Sequence, residues 1–380
     1  MSLPFGLIDK DRVHVLQRME DAMARVVSEF PFLAGMVVPF TQPNGRSNAL
    51  QVRPVTATEI EECPILVTQH PTESTAVAVD GKLNTALMPF PIVYPPRNLS
   101  PVLRLKANLL ENKLYLVCCF DHRVMDGSGF FRLAATFAAF CRDLNAPVPF
   151  TTAHAQETRQ HIKEVASTAT PQDLRWTTFP APASENEIST DYNRMPISSP
   201  YVLDGRKIKT LRGACNLALQ TFPGKYRKDL PDMSLPSSLV VSALVGICSS
   251  RARLRAFPDE PEFSSETFIV ENIRKALDLR RGYMGNTIVG TQSKCDGSIP
   301  PPPEASRNIH VPESLSLVGP EDIWRICNVA QTLHEASGHL NKQHAQGMVA
   351  KMSRERDWSS FRPGWGSIFL YLIPSQHRLM

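Results

Sequence analysis

One stretch limits what this chain can become: Leu114 to Phe131, LYLVCCFDHRVMDGSGFF. Leu114 to Phe120 is an apolar run with the β-branched and aromatic content of a buried strand. It stops at Asp121-His122, and a helical pattern resumes near Phe130. His122-Arg123-Val124-Met125-Asp126-Gly127 therefore falls on a strand-to-helix turn, where a side chain is held rigidly yet stays reachable. Imidazole is also the side chain best suited to move a proton near neutral pH. Of ten histidines only His122 has Asp four residues later. That spacing alone is weak, because on a helix it is commonly a surface pair; Gly127 and the apolar strand before it sharpen the signal. On the residues alone, His122 is either a catalytic group or a core histidine satisfied by a backbone carbonyl.

Around this stretch the chain alternates helices and strands. Asp11 to Glu29 reads as an amphipathic helix through Val15, Met19, Met23 (or Ala22) and Val26. Pro31 ends it, and Phe32 to Val38 is expected to continue as a strand. Leu103, Leu105, Ala107 and Leu109 alternate with polar residues, which predicts a half-buried strand turned back at Glu111-Asn112-Lys113 into the central run. Phe131 to Leu144 is predicted helical, with Leu133, Phe137 and Phe140 as core. From about Pro147 to Pro200 the composition shifts to Thr, Ala, Ser, Pro and Glu, as in a helical excursion followed by a linker. The second half repeats the alternation, with a helix at 237–254, a strand at 267–273 and a long helical region from Glu321 to Arg356. Ile299 to Pro303 is expected to be an exposed loop.

Composition removes several function classes. At 380 residues two domains are the natural prior. A net charge of +4 suits an anionic small ligand but is too weak for nucleic acid, and no basic run is interleaved with aromatics. No apolar stretch reaches about 18 residues and no leader is visible, so a cytoplasmic protein without a membrane span is expected, and Asn98-Leu99-Ser100 is a chance sequon. The eight cysteines show no C-x-x-C, which favours free thiols over disulfides or a zinc site. His334, His339 and His344 recur every five residues, off any single helix face, so no metal is expected. Gly127-Ser128-Gly129 lacks the spacing of a serine nucleophile elbow.

Cys119 to Gly127, CFDHRVMDG, resembles the His-x-x-x-Asp-Gly signature of the BAHD family of acyl-CoA-dependent acyltransferases, whose fungal branch includes trichothecene O-acetyltransferases. Four further segments agree in order. Phe30-Pro31-Phe32-Leu33-Ala34-Gly35 resembles the family's PLAGR-type segment. Ser237 to Arg253 is similar to the helix after its crossover. Val270 to Arg274 with Gly282-Tyr283-Met284-Gly285-Asn286 resembles "VDxR…GYFGN", and Gly364-Trp365-Gly366 resembles the end of "DFGWG".

The resemblance implies an α/β fold: two chloramphenicol-acetyltransferase-like domains with mixed sheets flanked by helices. Residues 1–165 and 206–380 would be the domains, 166–205 the crossover linker, and the site a channel between them. His122 would be the general base that frees an acceptor hydroxyl (or amine) to attack the thioester of acetyl-CoA or another acyl-CoA. Direct transfer requires no covalent acyl-enzyme and no bound cofactor. The resemblance makes Asp126 structural, turned away from the chemistry and anchoring the loop through an arginine. Gly127 and Gly129 would let the backbone turn tightly and leave room for the ligand. Arg274, Gly364, Trp365 and Gly366 would be motif residues outside the chemistry. Trp358 resembles a pocket tryptophan that can help stabilise the oxyanion, with an aromatic core plug as the alternative reading. The expected partners are an acyl-CoA and a hydroxylated fungal terpenoid or polyketide-type acceptor, met by a monomer.

The sequence also departs from the family. Arg362-Pro363 stands where "DFGWG" has Asp-Phe, so Arg274, whose usual partner is that aspartate, would face a like charge or find another partner. Both ends look abridged, with the usual opening strand and "LSxxD" segment expected to be absent. Two rivals follow. A catalytically silent or truncated homologue that only binds is one. The other is a condensation-domain-like amide former, although such proteins usually carry a second His where Asp121 stands.

Overall fold

The computed structural model of the chain describes residues 2–6, 12–40, 49–62, 64–69, 78–79, 82–89, 100–110, 113–148, 150–171, 203–222, 234–256, 265–295, 307–338 and 341–357. In order the elements are β1 (Ser2–Gly6), α1 (Arg12–Glu29), β2 (Met36–Phe40), β3 (Ala49–Arg53), α2 (Ala57–Glu62), β4 (Leu66–Gln69), β5 (Ala78–Val79), β6 (Lys82–Leu83), β7 (Ser100–Pro101), β8 (Leu103–Leu110) and β9 (Lys113–Phe120). There follow α3 (Gly127–Arg142), α4 (Thr152–Thr168), α5 (Gly205–Thr221), α6 (Ser237–Ala256), β10 (Ser265–Asn272), β11 (Ile288–Cys295), α7 (Pro320–Gly338) and α8 (Lys342–Arg354).

The hairpin β8–β9 is the middle of a mixed four-stranded sheet of order β1-β9-β8-β4. β4 runs parallel to β8, and the other pairs are antiparallel. β9 buries five of its eight residues, on both faces, as an apolar run without alternation should when both faces of the strand are covered. On one face Leu114, Leu116 and Cys118 join Met19, Ala22, Met23 and Val26 of α1 and Leu133, Phe137 and Phe140 of α3. On the other, Val117 and Cys119 meet Leu87. α1 thus uses the stripe its periodicity marks.

Two expectations near the N-terminus are corrected. An opening strand is present: Ser2–Gly6 pairs antiparallel with β9, Ser2 opposite Val117 and Gly6 opposite Lys113. It lies at the sheet edge, where Pro4 removes no interior ladder bond, and its shortness and proline hid it from pattern reading. Phe32 to Val38 is not one strand. Pro31–Ala34 forms a 3-10 turn with Pro31 in its first turn, and the strand begins only at Met36. A short apolar run does not by itself distinguish these outcomes.

In the second half α5, α6 and α7 bury a core of their own, with Leu211, Cys215 and Leu219 against Val240, Ile247, Ile323, Cys327 and Leu333. α6 and α7 lie against the antiparallel ribbon β10–β11. α5 was not foreseen in the sequence, since it starts where the linker was expected to end. The long helical region consists of two helices, α7 and α8. A third cluster crosses the chain: Val165 of α4 packs with Ile273, Leu277, Val289 and Met348.

Among the described residues, six cysteines are free, no helix is long and apolar enough to cross a membrane, and no group of three ligating side chains could hold a metal. The proline-rich segment 299–303, expected to be a loop, and the sequon at Asn98 lie outside the described residues.

Candidate active site at the strand-to-helix turn

The turn begins where β9 ends. Asp121 is buried, and its backbone N–H donates to Val102 O at 2.9 Å while its carbonyl accepts from Val124 N at 3.0 Å. Its carboxylate accepts from Arg123 N and Nε at 2.9 Å, from Arg123 Nη2 at 2.6 Å and from the Ser100 hydroxyl. Burial pushes the Asp121 carboxyl upward, but the bonds from Arg123 and Ser100 outweigh it and hold the group below the ordinary carboxylate range. A depressed carboxyl adds stability that is complete above its unfolded pKa and is lost as pH falls through the folded value. Asp121→Asn is therefore expected to cost about 1–3 kcal/mol at pH 7, as loss of charged hydrogen bonds does. The gap to the parent should begin to close below about pH 4, where the unfolded carboxyl protonates, and vanish only below the lower folded value; urea melts at pH 7 and at steps through the acid range measure it.

Asp126 closes the turn. It is 0% exposed, and in an extended conformation its Oδ1 accepts from Gly129 N at 2.8 Å. It is thus the N-cap of α3, which explains why that helix starts at Gly127 and not near Phe130. Oδ1 also accepts from Arg274 Nη2 at 3.0 Å; Oδ2 accepts from Arg274 Nη1 and Thr287 N, each at 2.9 Å. This is a bidentate ion pair between residues 148 apart in the chain. Arg274 in turn donates to Tyr283 O at 3.0 Å and Gly285 O at 2.6 Å. The carboxylate's acceptor sites are filled by these donors, none of which is His122. Arg274, which lacks the aspartate expected at position 362, has Asp126 as its carboxylate.

The segment Gly282–Asn286 is pressed onto the turn. Met125 bridges Gly285, Asn286 N donates to Val124 O at 3.1 Å, and Asn286 Nδ2 donates to His122 O at 2.7 Å. Asn272 Nδ2 reaches Ser128 Oγ at 3.0 Å. A Cβ on Gly129 would sit 2.0 Å from Met284 O, so the close approach of the two halves needs glycine there. By contrast a Cβ on Gly127 meets nothing within 4 Å.

His122 itself is exposed at the tip of this pinned turn. Its ring lies 5.9 Å from that of Phe120, which stacks on Phe130 at 4.9 Å. The neighbouring thiols are not rival nucleophiles: burial pushes Cys118 up to about 12, and Cys119 is raised for the same reason. The geometry thus brings His122, Asp126, Gly127 and Arg274 into one cluster. Trp358, Arg362, Gly364, Trp365 and Gly366 lie outside the described residues. No sequence signal marks Ser100 or Thr287, whose hydrogen bonds to the turn carry no spacing pattern.

No family profile matches the chain. Relatives do. The communesin N16 acyltransferase cnsK of Penicillium expansum is 26% identical over 370 residues, 92% of this chain and 74% of that one. The fumigaclavine B O-acetyltransferase easN of Aspergillus fumigatus is 24% identical over 371 residues, covering 90% and 73%. The O-acetyltransferase pyr7 of the same fungus is 24% identical over 377 residues, covering 90% and 70%. Among solved structures, F. sporotrichioides TRI101, complexed with coenzyme A and T-2, superposes with a TM-score of 0.58 at 15% identity, over 95% of this chain and 75% of that one. That likeness carries the fold: mixed α/β, of the chloramphenicol-acetyltransferase type. Along nine-tenths of its length the chain is thus similar to fungal acyltransferases, with this fold beneath the likeness.

Proposed function

We propose that the chain is an acyl-CoA-dependent O-acyltransferase that acetylates a hydroxyl of a fungal secondary metabolite of terpenoid or polyketide type, with His122 as general base. The observation that carries this reading is an exposed imidazole on a turn held by the buried Asp126–Arg274 pair. The imidazole takes the hydroxyl proton as the acceptor oxygen attacks the thioester carbonyl. The tetrahedral oxyanion then collapses, the C–S bond breaks, and the leaving thiolate recovers the proton from the imidazolium. An ester and free CoA result, and no protein nucleophile takes part. Trp358 is the proposed oxyanion contact. The names of the relatives support an acetyl donor and a secondary-metabolite acceptor, and the TRI101 complex supports coenzyme A as the carrier.

The domain division at 166–205, a monomeric state and a cytoplasmic setting complete the proposal; free thiols fit the last. An Arg274 without a carboxylate partner would favour the silent-homologue reading, and Arg274 has one. The amide-forming reading needs a useful group at position 121, and the Asp121 carboxylate is committed to Arg123 and Ser100. One observation keeps an amine among the acceptors: a relative is named for acylation at N16.

The test is free-thiol release from acetyl-CoA by the purified chain over a panel of hydroxylated terpenoids, polyketides and indole amines. Acceptor-dependent release, strongest with alcohols, is expected. Release with amines only would overturn the O-acyl assignment, and a folded chain inert across the panel would favour the silent reading.

A further inference from the structure

The peptide unit that joins His122 to Arg123 is held at both of its polar ends. Its carbonyl, His122 O, accepts from Asn286 Nδ2 at 2.7 Å, and its N–H, on Arg123, donates to Asp121 Oδ1 at 2.9 Å. Rotation of that plane is what would swing the Cα–Cβ bond of His122 away from its present direction. The two restraints differ in origin. Asp121 belongs to the turn itself, whereas Asn286 comes from 164 residues further along.

Asn286 is also tied down. Its own N–H donates to Val124 O at 3.1 Å, and its Oδ1 lies 3.4 Å from Ile288 N at the start of β11. One side chain and one backbone group of the same residue thus occupy the carbonyls of His122 and Val124. The turn's internal bonds, Val124 N and Met125 N to Asp121 O, leave both of those carbonyls unused. The Asp126–Arg274 pair anchors the far end of the turn; Asn286 acts at the histidine.

We infer that Asn286 is a positioning residue for the proton-transfer step, aiming His122 through the His122 carbonyl without touching either substrate. The inference rests on the proposed role of His122 as base. Misplacing a reacting group by about 1 Å can cost on the order of a hundredfold in rate. Asn286→Ala removes the donor. Asn286→Asp keeps the shape and the acceptor toward Ile288 but places an oxygen against the His122 carbonyl.

The experiment measures kcat, the KM for acetyl-CoA and the melting temperature of both variants, each made in the parent and in His122→Ala. The expected result is a kcat lowered about ten- to a hundredfold at unchanged KM for both variants, with no further loss in the His122→Ala background. Unchanged kcat, a loss confined to KM, or an equal further loss without His122 would overturn the inference and leave the base assignment standing. Loss of the cooperative melt in both variants would assign Asn286 to the fold and overturn it as well. Full turnover by His122→Ala alone would remove the base and this inference with it.

Discussion

Asp126→Ala is expected to destabilise the chain by about 3–5 kcal/mol and to abolish turnover. Breaking a buried ion pair by removing one partner costs that much because the surviving charge stays buried. Arg274 is only 5% exposed and would be left against the Tyr283 and Gly285 carbonyls. The same substitution removes the N-cap of α3 and the acceptor for Thr287 N, so three elements lose their common anchor. Asp126→Asn, which keeps one capping oxygen but not the charge, is expected to cost less, about 1–3 kcal/mol. Urea unfolding followed beside thiol release separates anchoring from relay. If Asp126 anchors, turnover and stability fall together across the two variants. A fully stable Asp126→Asn that has lost turnover would instead make Asp126 a proton partner of His122.

What the sequence disclosed was whatever repeats with a short period. The stripe Met19, Met23, Val26 marked α1, and alternation along Leu103 to Leu109 marked β8. The apolar run to Phe120 marked a strand covered on both faces. The candidate turn was legible because its pattern is compressed into six residues, His122 to Gly127. The contacts that fix it were not. Arg274, Asn286 and Thr287 reach Asp126 and His122 across 148 to 164 residues, and no local pattern records such a pairing.

Even with the family resemblance in hand, the carboxylate expected for Arg274 lay at position 362, where this chain has arginine. The carboxylate that holds it was four residues past His122 all along. Similarly, the cap that starts α3 at Gly127 depends on a side chain bonding its own helix. The apolar periodicity, which begins at Phe130, does not register that bond.

Fold and site meet in one economy of design. A central hairpin delivers His122 to the sheet's end. The second half of the chain does not contribute a reacting group there, among the described residues, but supplies the groups that hold the turn still: Arg274 at Asp126, Asn286 at His122 and Val124, and Met284 against Gly129. In the proposed reaction, preorganisation of this kind would align an acceptor, a base and an already activated thioester.

The most direct test is turnover by His122→Ala against the parent, with acetyl-CoA and the best acceptor from the panel. His122 is exposed and its recorded ring contact is with Phe120, so the substitution should leave stability within about 0.5 kcal/mol. General-base catalysis is worth on the order of 10²–10⁴ in rate, and the account predicts a loss in that range with a normal melt. Acceptor-dependent thiol release at the parental rate from a normally folded His122→Ala chain would contradict it.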